Sequence, residues 1–258
     1  MQRKSVLKQM WDILSPLMLR YAVAYVIALL FLDEYREHPT EMGAVAAVLT
    51  VPFLILMVKK DKAKEREAGI LPNKKAPLGK YVMIAGVSAA LAIGLNNLLL
   101  LANLAKYSES YQEAAEALYA PAFLAQLLCV GIVYPILEEY MFRGVIYRRM
   151  RAISSPKKAI VMSSIFFGLY HGNLVQMIYG TVAGLMLAYV YEKYGSLKAP
   201  VLAHVIMNIV ACVLTEMNGF AWMLAQPIRA AVITGVCIVL AFVILAQIQK
   251  IDEKPENV

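Results

Sequence analysis

The sequence predicts an all-α, polytopic membrane protein: about eight transmembrane helices around an intramembrane cavity, in one membrane domain over residues 1–258. Three observations predict it. Apolar residues make up 60% of the chain, against roughly 45–50% in soluble proteins. Charged residues make up 17%, against about 25%. The charges gather in short segments between long apolar runs, each near the ~20 residues that cross a bilayer.

The elements follow in order from those runs and their flanks. The N-terminus, MQRKSVLKQMWDILSP, is basic and shows no small-residue cleavage site, so the first span, near 16–32, is expected to act as an uncleaved anchor. An acidic stretch, 33–41 (DEYREHPTE), leads to the second span near 42–58. The segment Lys59–Lys80 carries eight Lys or Arg together with Pro72 and Pro77, and reads as a solvated loop close to anionic headgroups. The third span, near 81–102, is followed by the mostly acidic 103–118, and the fourth lies near 119–147. Arg148, Arg149, Arg151, Lys157 and Lys158 precede the fifth span, near 159–173. Only the His171-Gly172-Asn173 corner separates it from the sixth, near 174–191, so the two form a tight pair or one broken helix. The last spans lie near 199–215 and 228–248.

With eight spans, every strongly basic segment falls on one side and the acidic loops on the other. The positive-inside rule then predicts a multi-pass protein of the cell membrane with both termini in the cytoplasm. The same distribution accounts for the net charge of +7 without nucleic acid, which is not expected as a partner. Cys129, Cys212 and Cys237 lie in apolar runs at scattered spacing and read as small buried hydrophobes. Gly180 and Gly184 form a GxxxG expected to be a close packing face, within or between subunits.

Polar residues inside the spans are the informative ones, because burying a charge there costs at least ~2.5–3.5 kcal/mol. The fourth span contains Glu138, Glu139 and Arg143. Neighbouring residues on a helix point about 100° apart, so the two glutamates are expected to serve different tasks. Glu139 and Arg143, at i and i+4, are expected to pair, leaving Glu138 without a partner in its own helix. The fifth span carries Phe167 and His171, the seventh His204 and Asn208, each pair again at i,i+4. The third histidine, His38, lies in an acidic loop with no such company. At a rise of 1.5 Å per residue, Glu138, His171 and His204 lie ~15, ~20 and ~9 Å from Arg148, Lys158 and Lys198. They can therefore meet in the half of the membrane near the basic loops.

Glu138-Glu139-x-x-x-Arg143, Phe167-x-x-x-His171 and His204-x-x-x-Asn208 resemble, in order, the three motifs of the CAAX protease and bacteriocin-processing (CPBP, or Abi) intramembrane peptidases. The resemblance covers roughly residues 119–215. It implies an eight-helix endopeptidase with an active-site cavity open toward the cytosol, acting on a peptide or membrane-anchored protein in the lipid bilayer. It also implies roles: Glu138 and His171 activate water, His204 and Asn208 stabilise the oxyanion, and Glu139 and Arg143 support the site. Hydrolysis needs such a base and such oxyanion donors. No cofactor is required on this reading. The same residues leave a zinc-dependent version open, with Glu138, His171 and His204 as ligands and a fourth position for water, although no HExxH is present. Two other classes stay in view: a bacteriocin self-immunity protein that needs no proteolysis, and a transporter with a polar pathway. The second is disfavoured by the lack of an internal repeat.

Overall fold

The computed structural model describes residues 5–70, 72–103 and 108–252. Arg3, Lys4, Lys106 and Lys254, which contribute to the charge pattern, lie outside the described residues. No strand occurs among the described residues. In chain order the helices are α1 Val6–Leu30, α2 Leu32–Glu37, α3 Pro39–Glu67, α4 Tyr81–Leu101, α5 Glu109–Tyr119, α6 Phe123–Arg151, α7 Pro156–Tyr170, α8 Leu174–Tyr194, α9 Lys198–Glu216, α10 Gly219–Leu224 and α11 Pro227–Ile248. Seven are long and apolar enough to cross a membrane: α1, α3, α4 (with the short 3-10 turn before it), α6, α8, α9 and α11. The eighth expected span is α7, whose 15 residues reach only ~22 Å against a hydrocarbon core of ~30 Å.

Outward-facing apolar residues match a lipid setting. On α11, Val232, Val236, Val239, Leu240, Phe242 and Val243 are all exposed, a patch that a water-soluble monomer would bury. Its other face packs on α4. Cys129, Cys212 and Cys237 are free and buried, as their apolar surroundings predict.

Several helices run past their predicted ends. In α3, residues 59–67 (KKDKAKERE) continue the helix rather than forming a loop. They are strong helix formers with opposite charges at helical spacing, and Pro72 comes later. This extension serves a clamp. Arg149 grips Asp61 on α3 through Nε (2.7 Å) and Nη2 (3.3 Å), and donates to Ser15 Oγ (3.0 Å) and the Asp12 carbonyl on α1. Arg148 pairs with Glu65 and donates to the Tyr191 hydroxyl at 3.0 Å. Arg151 pairs with Glu192 at 3.4 Å, and the Tyr147 hydroxyl donates to the other oxygen of Glu192 at 2.5 Å. One end of α6 is thus tied to α1, α3 and α8, which fixes the depth of every residue further along α6.

The fifth and sixth spans form the tight pair of the two options. Gly172, at φ +77°, ends the first helix with a left-handed residue that favours glycine. Asn173 then caps α8 by accepting from the Gln176 N–H at 2.9 Å. The resulting antiparallel hairpin is built on backbone contact. A Cβ at Gly168 would overlap Thr181 Oγ1 and the Met177 carbonyl, and one at Gly180 would stand 3.2 Å from Gly168 Cα. A Cβ at Gly184 would lie 3.1 Å from Ser164 Cα. The GxxxG of α8 is therefore a packing face toward α7 within the molecule. The two arms of the hairpin differ in length, 15 residues in α7 against 21 in α8.

Candidate active site

The two glutamates sit at the end of an α-helical stretch, Tyr134–Glu139, set between two π-helical segments of α6, Cys129–Val133 and Tyr140–Tyr147. Such π segments recur at functional sites because they re-aim side chains and free backbone groups. In the first one, the Tyr134 N–H bonds the Cys129 carbonyl. The next rung would need an N–H at position 135, and Pro135 has none. The Val130 carbonyl is left open, and Asn208 Nδ2 donates to it at 2.8 Å. This bond spends one amide hydrogen of Asn208 and leaves the second.

Arg143 and Glu139 form the expected i,i+4 ion pair at 2.7 Å, with both side chains fully buried. Arg143 also donates to the Gly184 carbonyl at 3.0 Å and lies 4.6 Å over the Phe167 ring. The same Glu139 oxygen accepts from His204 Nδ1 at 2.9 Å, and Glu138 Oε2 stands 3.7 Å from His204 Nε2. The neighbouring glutamates thus approach opposite nitrogens of one imidazole, Glu139 at Nδ1 and Glu138 at Nε2. An imidazole carries its nitrogens on different edges, so two long side chains that diverge from adjacent residues reach one ring from different directions.

His171 caps the end of α7, and its Nδ1 lies 2.8 Å from the Phe167 carbonyl. A carbonyl only accepts, so Nδ1 carries the hydrogen and Nε2 is left with its lone pair in the neutral ring. Phe167 itself is almost fully buried and meets both imidazoles edge-on, at 4.9 Å from His171 and 5.7 Å from His204 between centroids. It fixes the spacing of the two histidines by packing.

A cavity of about 440 Å³ has Glu138, His171, His204 and Asn208 in its wall. Glu139 and Arg143 are not in that wall; they lie buried behind His204. The six polar residues are thus divided into four that face open space and two that hold one of the four in place. Beyond these four and further residues of α1, α6 and α7, the cavity's walls come from Pro39 and Thr40, from α5, and from the halves of α4, α8 and α9 away from the basic loops. No residue of 59–80, 148–158 or 192–198 lines it. The space therefore extends from the polar cluster toward the end opposite the basic loops.

Among the described residues, no three His, Cys, Asp or Glu side chains are grouped so as to hold a metal ion. The Nδ1 atoms of His171 and His204 are committed to the Phe167 carbonyl and to Glu139, which leaves the Nε2 atom of each ring for the cavity. One cavity residue escaped the reading of the motifs. Arg20 lies on α1, and its signal was present: it is the single charged residue between Asp12 and Asp33.

Residues 120–210 match the family model of the type II CAAX prenyl endopeptidase Rce1-like proteins. A protein of Bacillus subtilis (strain 168) named "Putative membrane peptidase YdiL" is 25% identical over 216 residues, which cover 78% of this chain and 86% of that one. No solved structure matches the chain. The matched segment contains all three polar motifs and every residue of the cluster they form, so the chain is similar to these membrane peptidases over the part that carries the site.

Proposed function

We propose that the chain is an intramembrane endopeptidase that hydrolyses peptide bonds of membrane-associated peptides or proteins by a water activated at Glu138 and His171. The observation that carries this reading is the shared cavity wall of Glu138, His171, His204 and Asn208. Water held between the Glu138 carboxylate and His171 Nε2 attacks the scissile carbonyl, and Glu138 takes its proton. The carbonyl oxygen becomes an oxyanion, which accepts from the second Asn208 amide hydrogen and from His204 Nε2–H. For His204 to donate there, its ring carries two protons, and the set Glu138, Glu139, Arg143 and His204 then has no net charge. Glu138 returns the proton to the leaving amine as the C–N bond breaks. Glu139 holds the His204 ring by Nδ1, and Arg143 holds Glu139, so these two are positioning residues.

No step of this reading requires a metal. Many apolar residues line the cavity, including Leu99, Leu118 and Met207, which suits a substrate segment extracted from lipid rather than a free polar peptide. The orientation that goes with this reading has both termini in the cytoplasm.

The test uses purified protein in detergent and a library of fluorescent membrane-type peptides. Glu138→Gln keeps the shape and removes the base, so turnover is expected to fall by about 10³-fold or more, with the unfolding midpoint unchanged. His171→Ala should also lose most activity. Turnover that survives both substitutions on a peptide cleaved by the wild type would sink the assignment. An immunity role independent of hydrolysis would show as protection against a peptide toxin that persists in Glu138→Gln.

A further inference from the structure

Arg20 is a partly buried cation that the proposed hydrolysis does not use. It stands in α1 with no other charge from residue 13 to 32, where an unmatched guanidinium is costly enough to need a reason. It is part of the cavity wall. Its Nη2 donates to the Gly43 carbonyl in a hydrogen bond that is long at 3.4 Å, and the guanidinium also interacts with the Tyr170 hydroxyl. Nε and Nη1 are both buried and make none. No carboxylate pairs with it among the described residues, whereas Arg143, at the far end of the cluster, is paired with Glu139 at 2.7 Å. The Tyr170 hydroxyl lies alongside Arg20 and also lines the cavity. Tyr134, next in the wall, has its hydroxyl committed to the Thr40 carbonyl at 2.8 Å and is not available in the same way.

A guanidinium presents its donors in a planar fork that matches a carboxylate. In a peptide the anions are the C-terminal carboxylate and the side chains of Asp and Glu. We infer that Arg20, with the Tyr170 hydroxyl beside it, forms a carboxylate-binding subsite of this cavity and selects substrates that carry a carboxylate beyond the scissile bond. The placement is favourable for selection. Tyr170 adjoins His171 in sequence, and their rings meet edge-on at 5.6 Å, so an anchored carboxylate is held a short distance from the hydrolytic group. The subsite also explains why the guanidinium is left partly unmatched: its remaining donors are satisfied when the substrate arrives.

The inference rests on the peptidase reading for its consequence, and its experiment separates the two. Matched peptides are prepared with a free C-terminal carboxylate or a carboxamide, and with an internal Glu or Gln on the C-terminal side of the cleaved bond. In wild type one carboxylate arm is expected to exceed its amide by about tenfold or more in kcat/KM, mostly through KM, the size of one charge-assisted hydrogen bond. The arm that shows the difference identifies the source of the carboxylate. Arg20→Met should erase the preference while turning over the carboxamide peptides within about threefold of wild type, and Arg20→Lys should keep part of it. Binding of the same peptides, with the scissile amide reduced to a non-cleavable amine, is read by fluorescence anisotropy. That readout stands even if no peptide is hydrolysed: absence of cleavage defeats the peptidase reading, whereas absence of any carboxylate preference in binding defeats the subsite. An equal fall of kcat on charged and amidated peptides in Arg20→Met would also overturn it, by showing a structural or field role. If Arg20→Met does not purify as a folded protein, the wild-type peptide pairs and Arg20→Lys still decide.

Discussion

Removing Arg143 should destabilise the protein far more than removing the ion pair as a whole. Arg143 donates to Glu139 at 2.7 Å and to Gly184 at 3.0 Å, and neither Arg143 nor Glu139 has any side-chain exposure. Arg143→Met keeps an unbranched side chain of similar length but leaves the Glu139 carboxylate buried with His204 as its remaining hydrogen-bond partner. Breaking one side of such a pair costs about 3–5 kcal/mol. In the double variant Glu139→Gln/Arg143→Met the stranded charge is gone, and the Gln carbonyl oxygen still accepts from His204. What remains is mainly the lost bond to Gly184, about 1 kcal/mol, with some repacking against Phe167. The double variant should therefore sit within about 1–2 kcal/mol of wild type, giving a coupling of roughly 2 kcal/mol or more between the two sites. The measurement is an SDS titration of detergent-purified protein followed by circular dichroism. A thiol-reactive fluorophore gives a second probe, since all three cysteines are buried until the bundle opens. A loss below about 1 kcal/mol in Arg143→Met, or a double variant as unstable as the single, would refute the claim that a matched buried pair supports His204.

Two further outcomes are expected. Activity of purified protein should survive extended treatment with a strong chelator, with less than one metal per several chains by elemental analysis; inactivation by the chelator and rescue by zinc would instead establish Glu138, His171 and His204 as a metal set that closes only around the ion. Single cysteines placed at Lys157 and Glu113, in a variant lacking Cys129, Cys212 and Cys237, should label on opposite sides of intact cells. A membrane-impermeant maleimide should reach position 113 from outside and position 157 only after lysis, and the reverse pattern would invert the orientation.

Much of the site was legible as misplaced polarity. Glu138, Glu139, Arg143, His171, His204 and Asn208 stand out because apolar runs surround them, and helical spacing alone predicts the Glu139–Arg143 pair seen at 2.7 Å. What spacing could not predict was how the glutamates share His204, because that depends on where a ring from α9 lands between two side chains of α6. The π segments were equally hidden: regular periodicity assumes a constant turn, and Pro135 opens the Val130 carbonyl only in a ladder whose register has already changed. Arg20 was visible as a lone charge, yet without a motif around it nothing in one dimension tied it to the cluster.

The sequence by itself determined the membrane setting, the order of the spans, the three polar motifs and the packing role of Gly180 and Gly184, because hydrophobicity, charge and helical period are local properties of the chain. The tertiary structure decided which polar residues face open space and which stand behind them. It also decided that the cavity runs away from the basic loops toward α5, with Arg20 in its wall. These outcomes depend on how far each helix reaches and which neighbour meets it there. They are relations between segments far apart in the chain, and no local pattern encodes them.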